Sequence, residues 1–182
     1  MASKLKIGFL GAGKMATALA KGFIQAGLVK PDGILASDPL ESARAEFSKE
    51  VGARTVQKNA EILRFASVVL LAVKPNQVED VLGEIRAGFT ADHLFVSIAA
   101  GVPIAKLENC LGASARVIRV MPNTPALVGA SATAFALGHA AKPEDGALAQ
   151  RLFSAVGASF QVKESLLDAV TGLSGSGPAY VY

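Results

Sequence analysis

The chain has 182 residues, of which 51% are hydrophobic and 18% charged, a composition typical of a folded globular protein of one domain, or of one domain and the beginning of another. The net charge is +3 and the basic residues form no cluster. With no Trp and only two Tyr, the chain also lacks the stacking residues typical of nucleic-acid binding, so we expect no nucleic-acid partner. A single cysteine, Cys110, excludes an internal disulfide, and we expect no metal site.

The apolar runs of the chain are short. Those at 65–73 and 94–105 fall well below the roughly 20 residues of a membrane-spanning helix. Near the N-terminus, Lys14 interrupts the apolar stretch at 7–13, and no cleavage pattern of a secretory leader follows it. We therefore predict a cytoplasmic protein with no membrane partner.

Eight short runs rich in apolar and β-branched residues predict strands, at 5–10, 34–37, 53–56, 67–73, 94–98, 116–120, 132–137 and 158–162. Four segments between them show helical spacing, around Leu19, Phe47, Leu82 and Leu152. The run at 67–73 is continuously apolar, as expected of a central strand covered by helices on both faces. This alternation predicts an α/β fold with a doubly wound, mostly parallel, Rossmann-like sheet.

A glycine-rich turn follows the first predicted strand. Gly11 permits a tight turn, Gly13 lets backbone N–H groups approach a pyrophosphate, and the small Ala16 allows the helix to pack closely on the strand. The N-terminus of that helix adds unpaired N–H donors and a partial positive charge. The turn predicts a dinucleotide site. Flavin or adenosylmethionine are alternative ligands, and a purely structural turn is the alternative role.

Asp38 ends the second predicted strand, where dinucleotide-binding folds place an acidic residue. Its carboxylate there would accept hydrogen bonds from the adenosine ribose, which favours NAD, and would repel the 2′-phosphate of NADP. Ser37, Arg44 and Asn59 offer donors to that phosphate and favour NADP. Asp38 also precedes Pro39, so its role could be to start a turn. The choice between NADPH and NADH stays open.

Four motifs occur in order along the chain: Ala-Val-Lys-Pro at 72–75, Ala-Ala-Gly at 99–101, Arg-Val-Met-Pro-Asn-Thr-Pro at 119–125 and Ala-Val-Thr-Gly-Leu-Ser-Gly-Ser-Gly-Pro-Ala-Tyr at 169–180. With these motifs the chain closely resembles the pyrroline-5-carboxylate reductases over essentially its whole length. The resemblance implies reduction of 1-pyrroline-5-carboxylate to L-proline, the last step of proline biosynthesis, with hydride from NADPH or NADH. It also implies self-association of the full-length protein as a dimer or higher oligomer.

The resemblance divides the chain into two parts. Residues 1–172 would form the dinucleotide-binding domain, and residues 173–182 a hinge with only the start of a C-terminal all-helical dimerisation domain. The family's proton donor is expected in the remainder of that helical domain, so no catalytic residue is predicted in this chain. We accordingly expect the chain to be a piece of a longer protein that binds its coenzyme with little or no turnover.

The resemblance and the chemistry of the motifs together predict two sets of site residues, Asn123 and the segment at 174–177 being predicted from their hydrogen-bonding groups. The predicted cofactor-binding residues are Leu10, Gly11, Ala12, Gly13, Lys14, Met15, Asp38, Asn59, Ala72, Val73, Lys74, Pro75, Ala99, Ala100, Gly101 and Asn123. The predicted substrate-binding residues are Glu164, Ser174, Gly175, Ser176 and Gly177, the last four as a nest of N–H groups and hydroxyls for a carboxylate.

Each of these predictions has an alternative. Lys74 could be a solvated lysine at a strand end, and the segments at 99–101 and 121–125 could be ordinary turns. Two other functions also stay open at this point. One is a related oxidoreductase, such as a hydroxyacid dehydrogenase or another imine reductase, and the other is a dinucleotide-sensing domain without chemistry.

Overall fold

Eight strands form one sheet in the computed structural model, which describes residues 5–180. They are β1 Ile7–Leu10, β2 Ile34–Ser37, β3 Arg54–Val56, β4 Val68–Leu71, β5 Leu94–Ser97, β6 Arg116–Met121, β7 Ser131–Leu137 and β8 Gly157–Gln161. All eight predicted strands are confirmed, with ends that differ by at most two residues.

Seven α-helices accompany these strands within residues 5–180: α1 Lys14–Gln25, α2 Glu41–Val51, α3 Ala60–Phe65, α4 Val78–Ile85, α5 Ile104–Leu111, α6 Pro143–Ser154 and α7 Leu167–Val170. The four helices predicted from spacing are α1, α2, α4 and α6. The helical spacing did not identify α3, α5 and α7. The helices α3 and α7 have six and four residues, too few turns to repeat a pattern, whereas α5 has eight, as many as α4, and the spacing of Ile104, Leu107 and Leu111 could have identified it.

The chain continues beyond α7 in two short helical turns. Thr171–Gly175 is a π-helical turn, and Gly177–Tyr180 is a 3-10 turn. They cover most of the predicted hinge at 173–182, of which Val181 and Tyr182 lie outside the described residues. None of the helices within residues 5–180 is long and apolar enough to cross a membrane.

The strand order is β3-β2-β1-β4-β5-β6-β7-β8, and every neighbouring pair is parallel except β6 and β7. The predicted doubly wound, mostly parallel sheet is therefore confirmed. After β1 the chain adds β2 and then β3 on one side of β1, and β4 is then placed on the other side of β1. This reversal between β1 and β4 creates a crevice at the carboxyl ends of the strands, where open α/β sheets bind ligands.

Side chains on successive strand positions alternate between two apolar cores. In β4, Val68 and Leu70 belong to the core that contains Phe9 and Phe23, whereas Val69 and Leu71 belong to the core on the opposite face. Both faces of β4 are thus buried, which explains why its sequence is continuously apolar. The two cores hold the central strands rigidly, so the loops at their carboxyl ends start from fixed positions.

Candidate functional site

The turn after β1 is held against the ends of the two neighbouring strands. Gly11 donates its N–H to the Ser37 carbonyl of β2 over 2.8 Å, and Ala72 after β4 donates to the Leu10 carbonyl over the same distance. Gly11 has a φ of +99°, and a Cβ on it would lie 2.7 Å from the Ala72 carbonyl oxygen. Only glycine therefore allows this turn to lie so close to the end of β4.

The N-terminus of α1 opens toward solvent-filled space. Gly13 is the residue that precedes the first turn of α1, and a Cβ built on it would meet no described atom within 4 Å. Leu10 and Ala12 are buried, whereas Lys14 is exposed and Met15 half-buried. The N–H groups of the first turn of a helix have no intrahelical partners, so this end offers room and donors for an anionic group.

A cavity of about 590 Å³, here the first cavity, lies between this turn, the end of β2 and helix α4. It is lined by seven of the predicted cofactor-binding residues, namely Gly11, Gly13, Asp38, Asn59, Ala72, Val73 and Lys74. Asp80 and Glu84 of α4 also line it and were not predicted. Their four-residue spacing, which places both on one helix face after the motif at 72–75, is the signal that could have identified them.

Asp38 is fixed by backbone N–H groups on two sides. Its Oδ2 accepts a hydrogen bond from Ala12 over 3.0 Å, and its Oδ1 accepts one from Leu40 over 2.9 Å. The contact with Leu40 is that of a turn-starting aspartate, as one interpretation of the sequence predicted. The contact with Ala12 holds the same carboxylate beside the turn after β1, at the wall of the first cavity.

Asn59 forms the middle of a chain of side-chain hydrogen bonds. Ser37 donates to Asn59 Oδ1 over 2.6 Å, and Asn59 Nδ2 donates to Glu84 Oε2 over 2.7 Å. These bonds connect the end of β2 with α4 across the first cavity. The predicted residue Asn59 therefore lies at the cavity, and Glu84 determines where its amide points.

A second cavity, of about 320 Å³, lies at the ends of β4, β5 and β6. Its lining residues are Met15, Ala72, Val73, Lys74, Ile98, Met121, Pro122, Asn123, Thr124 and Gly175. The segment at 72–74 lines both cavities, so they meet at this segment. Lys74 is the one basic residue among the described residues that line either cavity.

Asn123 connects two motifs that are far apart in the sequence. Its Nδ2 donates to Ser174 Oγ over 2.9 Å, and its Oδ1 accepts hydrogen bonds from Ser131 Oγ and the Ala132 N–H, each over 3.0 Å. A Cβ on Gly175 would lie 2.7 Å from Met121 Cε. The turn at Thr171–Gly175 is therefore packed directly against the end of β6, beside the second cavity.

The other predicted residues lie outside the lining of both cavities. These residues are Leu10, Ala12, Lys14, Pro75, Ala99, Ala100, Gly101, Glu164, Ser174, Ser176 and Gly177. Several are adjacent to lining residues, since Ala99 follows Ile98 and Ser174 precedes Gly175. In the predicted nest, the Ser176 N–H already donates to the Thr171 carbonyl over 2.8 Å.

Glu164 contacts the N-terminus of α5. Its Oε1 accepts the Ile104 N–H over 2.7 Å and lies 3.2 Å from the Arg119 guanidinium, which is buried and also pairs with Asp168 over 2.7 Å. All of these described contacts are with protein groups. Its role as a substrate-binding residue stays a prediction.

Comparison with known proteins identifies the family. The family model described as "NADP oxidoreductase coenzyme F420-dependent" matches residues 6–101, more than half of the chain. A pyrroline-5-carboxylate reductase of Methanosarcina acetivorans is 48% identical over 177 residues, which cover 97% of this chain and 66% of the relative. A solved pyrroline-5-carboxylate reductase from Coxiella burnetii is 34% identical with a TM-score of 0.91, covering 98% of this chain and 67% of that chain.

The chain belongs to the pyrroline-5-carboxylate reductase family. A further pyrroline carboxylate reductase structure, from Plasmodium falciparum and solved with NADP bound, is 32% identical with a TM-score of 0.87, covering 98% of this chain and 65% of that chain. The chain spans about two thirds of the length of these pyrroline-5-carboxylate reductases. The region that it shares with them includes both cavities and the turn after β1.

Proposed function

We propose that this chain binds NADPH or NADH at the turn after β1 and serves the reduction of 1-pyrroline-5-carboxylate to L-proline. The observation that carries the proposal is the meeting of the two cavities at Ala72, Val73 and Lys74, at the crevice between β1 and β4. A dinucleotide has two ends joined by a pyrophosphate, and this arrangement offers a separate space for each end with a helix N-terminus beside them.

The residues present suit a dinucleotide. Gly13 leaves open the space in front of α1 that a pyrophosphate needs, and Gly11 allows the turn to stay close to β4. On one side of the turn after β1, the first cavity has Asp38 and Asn59 for the adenosine ribose. On the other side Lys74 and Asn123 border the second cavity, which has room for a nicotinamide and a small cyclic imine.

When bound, the coenzyme supplies a hydride for the imine carbon of the substrate. This chain positions the coenzyme and the substrate and encloses them. The alignment of their reacting atoms lowers the activation barrier of the hydride transfer. Asn123 holds the loop after β6 against Ser174, so the wall of the second cavity is rigid. We propose that Glu164, Ser174, Gly175, Ser176 and Gly177 contribute to substrate binding, as the family resemblance implies.

Self-association and a cytoplasmic location are part of the same proposal. Phe160, Leu166 and Leu173 are 60%, 51% and 81% exposed. Exposed apolar side chains of this size, on the last strand and the segment after it, support burial against another part of the protein or a second copy. Size-exclusion chromatography with light scattering would measure the assembly state.

Titration calorimetry of the chain with NADPH and with NADH tests the coenzyme site. We expect saturable binding of at least one. The variant Gly13→Asp should abolish it, because a carboxylate would occupy the space for the pyrophosphate and repel it, while Asp is a favoured residue at the start of a helix and should preserve α1. Ala113→Asp, which adds the same charge at an exposed position before β6, at the opposite edge of the sheet from both cavities, is the matched control.

Two results would contradict the proposal. One is the absence of binding of either coenzyme to the folded chain, and the other is binding that Gly13→Asp leaves unchanged. Oxidation of the reduced coenzyme, followed by absorbance with 1-pyrroline-5-carboxylate present, tests the reaction itself. The substrate-binding proposal predicts that Ser174→Ala weakens the binding of 1-pyrroline-5-carboxylate, measured by titration calorimetry, without changing the Kd of the coenzyme.

A further inference from the structure

The lining of the first cavity has three acidic residues and one basic residue. Asp38, Asp80 and Glu84 line this cavity, and Lys74 lies on the side that it shares with the second cavity. In dinucleotide-binding folds, a pyrophosphate at the first helix places the adenosine ribose beside the end of β2. The ribose would therefore lie next to the Asp38 carboxylate, which two backbone N–H groups hold in place.

The residues that could receive a 2′-phosphate bond to other groups of the chain, and Arg44 does not line the first cavity. Arg44 Nη1 donates to the backbone carbonyls of Asp38 and Pro39, over 2.7 and 3.0 Å. Asn59 Nδ2 donates to Glu84 over 2.7 Å, and the Ser37 hydroxyl lies 2.6 Å from Asn59 Oδ1 and 3.2 Å from the Phe9 carbonyl. All three residues that the sequence offered as NADP contacts thus bond to the chain itself.

We infer that Asp38, together with Glu84 acting through Asn59, makes this chain select NADH over NADPH. A ribose 2′-hydroxyl can donate a hydrogen bond to the Asp38 carboxylate, whereas a 2′-phosphate brings negative charge against it and would need the Asn59 amide that Glu84 holds. The selection is a difference between two affinities, produced by one favourable contact and one repulsion. This inference rests on the proposed coenzyme site.

Titration calorimetry with two pairs of ligands tests the selection. NADH and NADPH form the first pair, and adenosine 5′-monophosphate and adenosine 2′,5′-bisphosphate form the second, in which the 2′-phosphate is the sole difference. In each pair we expect the ligand without the 2′-phosphate to bind at least about tenfold more tightly than its partner at low salt. Raising the salt concentration should narrow that ratio, because screening weakens the repulsion.

Three variants separate the residues involved. Asp38→Asn removes the charge beside the ribose, and Glu84→Gln keeps an acceptor for Asn59 while it removes the second charge. Each should narrow the ratio by tightening the binding of NADPH. Glu46→Gln, an exposed acid of α2 that lines neither cavity, should leave the ratio unchanged. Far-ultraviolet circular dichroism would establish that all three variants are folded.

The outcomes distinguish this inference from the proposed function. Equal affinities, or tighter binding of NADPH by the unaltered chain, would overturn the selection and leave the coenzyme site standing. A ratio that neither Asp38→Asn nor Glu84→Gln changes would overturn the assignment to these two residues. Failure of both coenzymes to bind the folded chain would overturn the coenzyme site and this inference with it.

Discussion

Asn123 and Ser174 are joined by a hydrogen bond of 2.9 Å from the Asn123 amide to the Ser174 hydroxyl, although 51 positions separate them in the chain. The carbonyl oxygen of the same Asn123 side chain accepts hydrogen bonds from Ser131 and Ala132 at the start of β7. One side chain therefore connects the end of β6, the start of β7 and the π-helical turn beside the second cavity.

The connections of Asn123 predict a stability difference. Asn123→Ala should lower the free energy of unfolding by about 1–3 kcal/mol, because it leaves partners unsatisfied at the start of β7 and in the π-helical turn. Ser174→Ala removes one of these bonds and should cost about 0.5–1.5 kcal/mol. Urea denaturation of the two variants measures both values. A cost for Ser174→Ala equal to that for Asn123→Ala would show that the connection to β7 contributes nothing.

Glu164 should contribute more to stability than Asp168, although both pair with Arg119. Glu164 also caps the Ile104 N–H of α5, and its side chain is 35% exposed, whereas that of Asp168 is 80% exposed. We expect Glu164→Ala to cost about 1–3 kcal/mol of unfolding free energy and Asp168→Ala about 0–1 kcal/mol. Glu164→Gln, which retains an acceptor for Ile104, is the matched control and should cost less than Glu164→Ala. The reverse ranking of Glu164→Ala and Asp168→Ala in urea denaturation would contradict this account.

The exposed ion pair between Glu79 of α4 and Lys106 of α5, 2.6 Å apart, should make a small pH-dependent contribution to stability. The hydrogen bond to Lys106 and its charge lower the pKa of Glu79, and the same contact with Glu79 raises the pKa of Lys106. The Glu79 contribution is present above its unfolded-state pKa and is lost as the pH falls through the lower folded-state pKa. The Lys106 contribution is present below its unfolded-state pKa and is lost as the pH rises through the higher folded-state pKa.

A double-mutant cycle with Glu79→Gln and Lys106→Met measures this coupling. Its energy should be constant near neutral pH, and it should be lost in acid as the pH falls through the lowered pKa of Glu79 and in alkali as the pH rises through the raised pKa of Lys106. Concentrated salt should reduce it. A coupling that high salt leaves unchanged would contradict an electrostatic origin.

Gly157 and Gly83 should respond in opposite directions to the same substitution. Gly157 has a φ of +147° at the start of β8, and a Cβ on it would overlap the backbone of Ser131, its partner in β7. Gly83 lies in α4 with open space at its Cβ position. Gly83→Ala should raise the free energy of unfolding by about 0.5–1 kcal/mol, since alanine favours a helix. Gly157→Ala should lower it by about 2 kcal/mol or more, or prevent folding.

Urea denaturation measures the two glycine variants, and the yield of soluble protein replaces it if Gly157→Ala does not fold. Normal yield and unchanged stability of Gly157→Ala would contradict the overlap with Ser131. For Gly83→Ala, a loss of stability would contradict the open space at its Cβ position.

The sequence by itself predicted the eight strands, helices α1, α2, α4 and α6, and the turn after β1. Strand positions could be predicted because the burial of both faces of β4 and its neighbours requires continuous apolar runs, a local property. Gly11 could be identified because the tight turn between a strand and a helix needs a residue without a Cβ. Helices of six residues or fewer, such as α3, repeat their pattern too few times to be predicted in this way.

The tertiary structure decided which of the predicted residues meet. Glu84 bonds to Asn59, and Glu164 bonds to Ile104 and Arg119, across 25 to 60 positions of the chain. No local pattern encodes these contacts, because they depend on the order of the strands in the sheet and on how the helices pack against it. The sequence therefore predicted a dinucleotide-binding turn and left NADH and NADPH open. The placement of Asp38 and Glu84 around one cavity, which only the assembled sheet and α4 produce, is the observation on which our inference of NADH selection rests.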